Sequence, residues 1–274
     1  MVWVILVLTG LGAGMLGSLM GLGGGVIVVP ALMIYGGMHP FFSDVTPQTA
    51  VGTSLLIMIF TGLSSTLAYM KQKTVDYKAG LIFFIGSGPG ALFGVWLNKD
   101  LDVAPFLICF GLFMIMVSFI LIIRNRLKPL PIKGKGIRRV YTMENGNEIE
   151  YGFTPVFAIV LSFIVGMFSG LFGIGGGSLM VPAMILMFGF PPHLAVATSM
   201  FMVLLSALIS SVSHIALGNV EWLYALALIP GAWVGAKAGA LINRKLNSTT
   251  LVMILRIFLI VIGIRLMWQG FTGL

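Results

Sequence analysis

The chain carries one glycine-rich break twice. Gly21-Leu22-Gly23-Gly24-Gly25 in the first half is matched by Gly173-Ile174-Gly175-Gly176-Gly177 in the second, each inside an apolar run. Around these stretches the sequence superposes on itself at an offset of 152, with Gly14-Met15 on Gly166-Met167 and Pro30-Ala31 on Pro182-Ala183. Beyond a longer loop in the first copy the offset becomes 145, setting Ala50-Val51-Gly52-Thr53-Ser54 over Ala195-Val196-Ala197-Thr198-Ser199, Asp76 over Glu221 and Asn98 over Asn243. Gly86, Gly90 and Gly94 fall on Gly231, Gly235 and Gly239. A register held over this length marks a duplication, so the fold has to bring together two copies of one unit.

Lipid is the solvent such a unit needs. Hydrophobic residues make up 58% of the chain and charged residues 9%, against about a quarter charged in soluble domains. Crossing a bilayer takes about 20 apolar residues, and eight runs of that order lie near 3–20, 48–70, 79–97, 103–123, 154–172, 196–216, 222–242 and 249–268. The first is not expected to be a cleaved signal peptide, because no basic segment precedes it and no small-residue cleavage site follows. A net charge of +8 raises nucleic acid as a partner, but the basic residues sit between the apolar runs, where membrane topology accounts for them. Cys109 stands alone within an apolar run and reads as packing, so it offers neither a disulfide nor a paired-thiol site.

Each copy reads as a glycine-broken segment followed by three helices, giving a first repeat over 1–123, a basic linker over 124–152 and a second repeat over 153–274. The GxxxGxxxG run on the third helix of each copy clears one face for close approach of another backbone; lining a pore is the alternative. If the broken segments span the membrane, both copies face the same way and the basic loops split between the two sides. If they enter and return on one side, Arg244 and Lys245 join Lys71, Lys73, Lys78 and the run from Arg124 to Arg139 on one face, leaving Lys99 opposite. The positive-inside bias therefore predicts an all-α integral membrane protein of two inverted repeats, each a re-entrant hairpin plus three transmembrane helices. It would cross the inner (plasma) membrane many times, with the 124–152 loop cytoplasmic and both termini outside. Within that loop, Asn145-Gly146 between strand-forming residues predicts a small β-hairpin from Val140 to Tyr151. Its bland reading is a linker with a charged, lipid-facing surface; partner binding is the sharper one.

Three consecutive glycines cannot continue a helix cheaply, at about 1 kcal/mol each relative to alanine. Broken backbone at membrane depth survives where it is buried in protein or faces a wet cavity, and paired breaks in two halves point to a transport site. Helix is expected to resume near Val26 and Ser178, with free amides and the positive dipole end turned to the membrane centre, an arrangement suited to an anion. With inverted copies the two ends would converge into an oxyanion cradle made of Gly23, Gly24, Gly25, Gly175, Gly176 and Gly177, with Ser178 as a first-turn donor. A tight helix crossing is the plain alternative. Nearby hydroxyls Thr53, Ser54, Thr198 and Ser199 can donate to the anion or bond back to their own helix carbonyls.

All eight acidic residues fall at loops or helix ends, whereas cation sites and proton relays normally use intramembrane carboxylates. Lys237 and Arg256 lie within apolar runs and suit either snorkelling or an anion path. His214 could carry a proton or serve as a polar cap. Eighteen scattered methionines without companion His or Cys read as core filler rather than a copper site. Neither a metal, a cofactor nor catalytic chemistry is expected.

GLGGGVIVVPAL (21–32) and GIGGGSLMVPAM (173–184), followed by AVGTSL (50–55) and AVATSM (195–200), resemble the TauE/SafE sulfite exporter family, also called the toluene-sulfonate uptake permease group. The resemblance covers the whole chain except the basic loop and hairpin. It implies a secondary carrier for sulfite, thiosulfate, sulfonates or related sulfur anions, working by alternating access, with the anion and the bilayer as its partners. Coupling to protons or sodium and homo-oligomerisation stay open. Ala197 stands where the first copy has Gly52, which argues against a strictly symmetric site. Two other readings remain: an anion channel, and a non-transporting anchor subunit that holds a partner through the basic loop.

Overall fold

The computed structural model describes residues 2–37, 40–42, 45–124, 136–142, 148–243 and 248–272. These form α1 (Val2–Met20), α2 (Gly25–Gly36), α3 (Pro47–Lys71), α4 (Tyr77–Asn98), α5 (Val103–Arg124), β1 (Ile137–Thr142), β2 (Glu148–Phe153), α6 (Pro155–Phe172), α7 (Gly177–Phe188), α8 (Pro192–Ala216), α9 (Trp222–Asn243) and α10 (Ser248–Thr272), with one 3-10 turn at Pro40–Phe42. Among the described residues, α1, α3, α4, α5, α6, α8 and α9 are long and apolar enough to cross a membrane. The eighth expected run falls in α10, a helix of 25 residues whose stretch Leu259–Thr272 is apolar. Large apolar side chains such as Ile85, Phe119, Val156, Val212, Leu226 and Trp268 point outward. Such a surface would aggregate in water; in a bilayer it is the lipid-facing coat of a multi-pass protein. Cys109 belongs to that coat and is exposed, so it does not pack inside as its apolar setting suggested.

Local chemistry sets the helix starts. Thr46 and Thr49 form a reciprocal cap ahead of α3, with Pro47 in the first turn, and the Asp76 carboxylate caps α4 by accepting from the Ala79 N–H at 3.1 Å. Pro155 and Pro192 open α6 and α8, where the missing N–H costs nothing.

The GxxxGxxxG faces join the two copies. A Cβ at Gly231, Gly235 or Gly239 of α9 would collide with the carbonyl oxygens of Val7, Leu11 and Met15 on α1. At Gly86, Gly90 and Gly94 of α4 it would meet those of Ile159, Phe163 and Met167 on α6. The first helix of each copy, α1 or α6, thus lies backbone to backbone on the fourth helix of the other, α9 or α4. This is the packing role, with side-chain amides closing each seam: Asn98 donates to the Leu171 carbonyl at 2.9 Å and Asn243 to that of Leu19 at 2.6 Å.

The long central helices α3 and α8 are the most buried of the spans and lie against each other. Gly52 abuts His214 and Asn219, while Gly62 abuts Leu204, so numbers rise along one helix as they fall along the other. The same holds for α5 and α10, where Ser118 meets Arg256 and Gly111 meets Gly263. Within the first copy, Gly24 sits beside Ala13 and the Tyr35 hydroxyl is 2.8 Å from Thr9 Oγ1, so α2 runs back along α1.

The expected β-hairpin is present, with Val140 paired to Glu150 in an antiparallel ladder; its turn, 143–147, lies outside the described residues, as do Arg126, Lys128, Pro129, Pro131, Arg244 and Lys245. It is docked, not loose. Arg139 forms an ion pair with the buried Asp76, whose other oxygen accepts from the Tyr151 hydroxyl at 2.8 Å. Phe153 packs among Phe83, Phe188 and Phe190. Burial, and then the bond and charge of Asp76, raise the Tyr151 phenol above its ordinary pKa.

Candidate substrate site

The two glycine breaks meet each other between α3 and α8. Helix resumes at Gly25 and Gly177, beside the positions read from the sequence. A Cβ on Gly25 would strike the Gly173 carbonyl and one on Gly177 the Gly21 carbonyl, while Gly23 and Gly175 share Met58 and Val203 as neighbours. The stretches therefore cross antiparallel, with Gly21 beside Gly177, and Gly25 beside Gly173. Glycine is required twice over, by this approach and by the left-handed backbone at Gly23 (φ 83°) and Gly175 (φ 68°). A side chain at those φ values is strained even where space exists.

This geometry differs from two helix starts pointing at one spot. Each start faces the end of the other copy's first helix: α2 begins beside Gly173, just past α6, and α7 beside Gly21, just past α1. A positive dipole end thus lies next to a negative one, and what fills the carbonyl oxygens decides the balance.

Hydroxyls fill them. Ser54 donates to the Gly173 carbonyl at 2.8 Å, Ser199 to that of Gly21 at 2.8 Å, and Thr61 to that of Gly23 at 2.9 Å. By contrast, no side-chain cap occupies the start of either α2 or α7. Thr53 accepts from the Glu221 N–H at 2.9 Å and Thr198 from the Asp76 N–H at 3.1 Å. All four hydroxyls read from the sequence bond across to the other copy instead of to their own helices, but only Ser54 and Ser199 reach the break; Thr53 and Thr198 meet the N–H groups ahead of α9 and α4. Ser178 lies buried in the first turn of α7.

His214 is fully buried near the far end of α8 beside the backbone of Gly170. The equivalent position holds Tyr69, whose hydroxyl donates to the Ser18 carbonyl at 2.9 Å. Arg256 lies against α5 at Ser118, away from the crossing, and Lys237 is exposed on α9. Thr61 was missed by sequence reading, although it stands two helical turns from Ser54 on the same face. Among the described residues no group of His, Cys, Asp and Glu could hold a metal ion.

The family model for sulfite exporter TauE/SafE matches residues 6–266. The chain belongs to the TauE/SafE family. Similar proteins of this kind include the probable membrane transporter protein YunE of Bacillus subtilis, 55% identical over 98% of this chain and 99% of its own length. A probable membrane transporter protein of Methanocaldococcus jannaschii is 28% identical over 95% of this chain and 93% of its own, and one of Xylella fastidiosa is 24% identical over 95% and 94%. No solved structure matches the chain. As a TauE/SafE member the chain is a membrane transporter, and its relatives are named as transporters rather than enzymes. The family match extends across the glycine breaks, the seams and the central helices alike.

Proposed function

We propose that this TauE/SafE transporter is a secondary carrier for a small sulfur-containing anion, such as sulfite, thiosulfate or an organosulfonate, bound where the two glycine breaks cross. The observation that carries the reading is the uneven pairing at the crossing. Ser54, Ser199 and Thr61 occupy the carbonyls of Gly173, Gly21 and Gly23, whereas the starts of α2 and α7 have no side-chain cap. Damping the negative ends and leaving the positive ends open favours an anion. The ligand groups are then the amides of Gly24, Gly25 and Gly175 to Gly177 with Ser178, the Gly23 amide being bonded to the Gly17 carbonyl, while Ser54 and Ser199 set the field and Thr53 and Thr198 help hold the two copies together.

The opposed courses of α3 and α8, and of α5 and α10, support inverted copies; the return of α2 along α1 supports a re-entrant hairpin. Inversion presents equivalent surfaces to the two sides of the membrane, which is what alternating access about a central site requires. Lys71, Lys73, Arg138 and Arg139 gather at the hairpin end, which by the positive-inside bias supports a cytoplasmic hairpin in a cell-membrane protein. His214 is the group available for proton coupling.

Uptake of labelled sulfite, thiosulfate and taurine into proteoliposomes tests the reading. Saturable uptake accelerated by trans substrate is expected. Flux without counterflow would make the protein a channel, and no flux of any of the three would end the assignment of a sulfur anion.

A further inference from the structure

The polar face of α3 does not stop at the glycine crossing. Ser54, Met58, Thr61, Ser65 and Tyr69 follow one another at three- and four-residue steps, which places them on one side of the helix. The first three touch the breaks and Tyr69 reaches the Ser18 carbonyl, so Ser65 is carried along the same face. The equivalent row on α8 is Ser199, Val203, Ser206, Ser210 and His214, with Ser199 on the Gly21 carbonyl and Val203 at Gly23 and Gly175. Ser206 shares a 3.0 Å hydrogen bond with Ser87 of α4. Because the helices run oppositely, the α3 row leads from the crossing toward the hairpin end and the α8 row toward the other.

Ser65 and Ser210 in these rows, each with its neighbour one position on and about 100° round the helix, form two equivalent pairs of hydroxyls with nothing to bond. Ser65 and Thr66, and their counterparts Ser210 and Ser211, are buried, at 0%, 3%, 0% and 0% exposure, and their oxygens have no hydrogen-bond partner. Buried hydroxyls are nearly always satisfied in native proteins, and a serine in a helix can usually bond back to its own carbonyl. Four unmet donors at two symmetric places, in protein enclosed by lipid, mark positions whose partner arrives from outside the chain.

We propose that Ser65 with Thr66 and Ser210 with Ser211 are the inner and outer waystations of the transported anion, on either side of the glycine crossing. This rests on the carrier reading above and extends it from a site to a path. Hydroxyls suit such stations because they donate to an oxyanion without the charge that would trap it. Tyr69 and His214 close the two ends of the path.

Single-cysteine accessibility tests the path without requiring transport. In a Cys109→Ser background, Ser65→Cys and Ser210→Cys are exposed, in sealed vesicles of known orientation, to an anionic and a cationic membrane-impermeant thiosulfonate; Leu63→Cys serves as the outward-facing control on α3. Ser65→Cys should react from the hairpin side and Ser210→Cys from the opposite side. Each should react at least tenfold faster with the anionic reagent, be slowed by methanesulfonate, and leave the control unreactive. Reaction of both from one side, equal rates with the two reagents, or no reaction at either position would overturn the proposal. Should both cysteines label as expected while the proteoliposomes move no sulfur anion, the path stands and the cargo is wrong. As a second measurement, Ser65→Ala with Ser210→Ala should slow uptake at least tenfold while the monodisperse elution profile is kept; unchanged uptake would count against the stations.

Discussion

The backbone N–H of Asp76 donates to Thr198 Oγ1 at 3.1 Å. Asp76 is also the residue that pins the β-hairpin through Arg139 and Tyr151, and Thr198 precedes the serine that closes the first glycine break. The β-hairpin and the glycine crossing are therefore three hydrogen bonds apart, through one short stretch of α8.

Removing either serine donor should act at the crossing itself. Ser54→Ala leaves the Gly173 carbonyl and Ser199→Ala the Gly21 carbonyl buried without a donor, each costing about 1–3 kcal/mol. Anion binding should weaken in both, because a restored negative dipole faces an uncapped helix start. Thermal unfolding in detergent, with and without thiosulfate, checks this; unaltered ligand-induced stabilisation in both variants would remove the serines from the site's electrostatics.

Close approach makes a second contrast. Gly25→Ala and Gly177→Ala drive a methyl into backbone carbonyls that have no room to yield, and neither should give stable, monodisperse protein. Gly12→Ala on α1 meets nothing within 4 Å and should gain about 0.5–1 kcal/mol from helix propensity. Yield and unfolding temperature report both outcomes.

The hairpin latch can be weighed by a double-mutant cycle. Arg139→Met strands a buried carboxylate that keeps its bonds from Tyr151 and the Ala79 N–H, so the loss should fall toward the lower end of the roughly 3–5 kcal/mol typical of broken buried pairs. Adding Asp76→Asn removes the stranded charge and should recover part of that loss. Additive losses in the cycle would mean the two side chains are not coupled.

Alkaline pH should undo the same latch late. The Tyr151 phenol donates to Asp76 only while protonated, and its pKa is raised in the folded protein by burial and by Asp76. A raised folded pKa contributes stability that is complete below the unfolded value of about 10 and is lost as pH climbs through the folded one. Unfolding curves should therefore be insensitive to this group through neutral pH and fall off only in strong alkali, a component that Tyr151→Phe removes.

Much of this architecture was readable because duplication writes equivalences into the sequence. The offset aligned Ser54 with Ser199 and Asn98 with Asn243, and Asn145-Gly146 announced the hairpin. Equivalence is not contact, however. The alignment places Ser54 over Ser199, yet each bonds to a glycine carbonyl of the other copy, a relation that depends on how the copies are set against one another. The same gap explains why the helix starts were expected to meet each other, when each meets the opposite copy's carbonyl. Asp76 read as one more loop carboxylate because nothing local signals that Arg139 and Tyr151, more than sixty positions away, will cover it.

The exchange of donors at the crossing has a consequence for what counts as a unit. Ser54 serves Gly173 and Ser199 serves Gly21, so each half of the gene encodes the remedy for the other half's defect. A half expressed alone would keep an unanswered carbonyl until the other half lay against it. The boundary between the copies is thus real in the gene and absent from the folded object, where neither part is a module that can be lifted out.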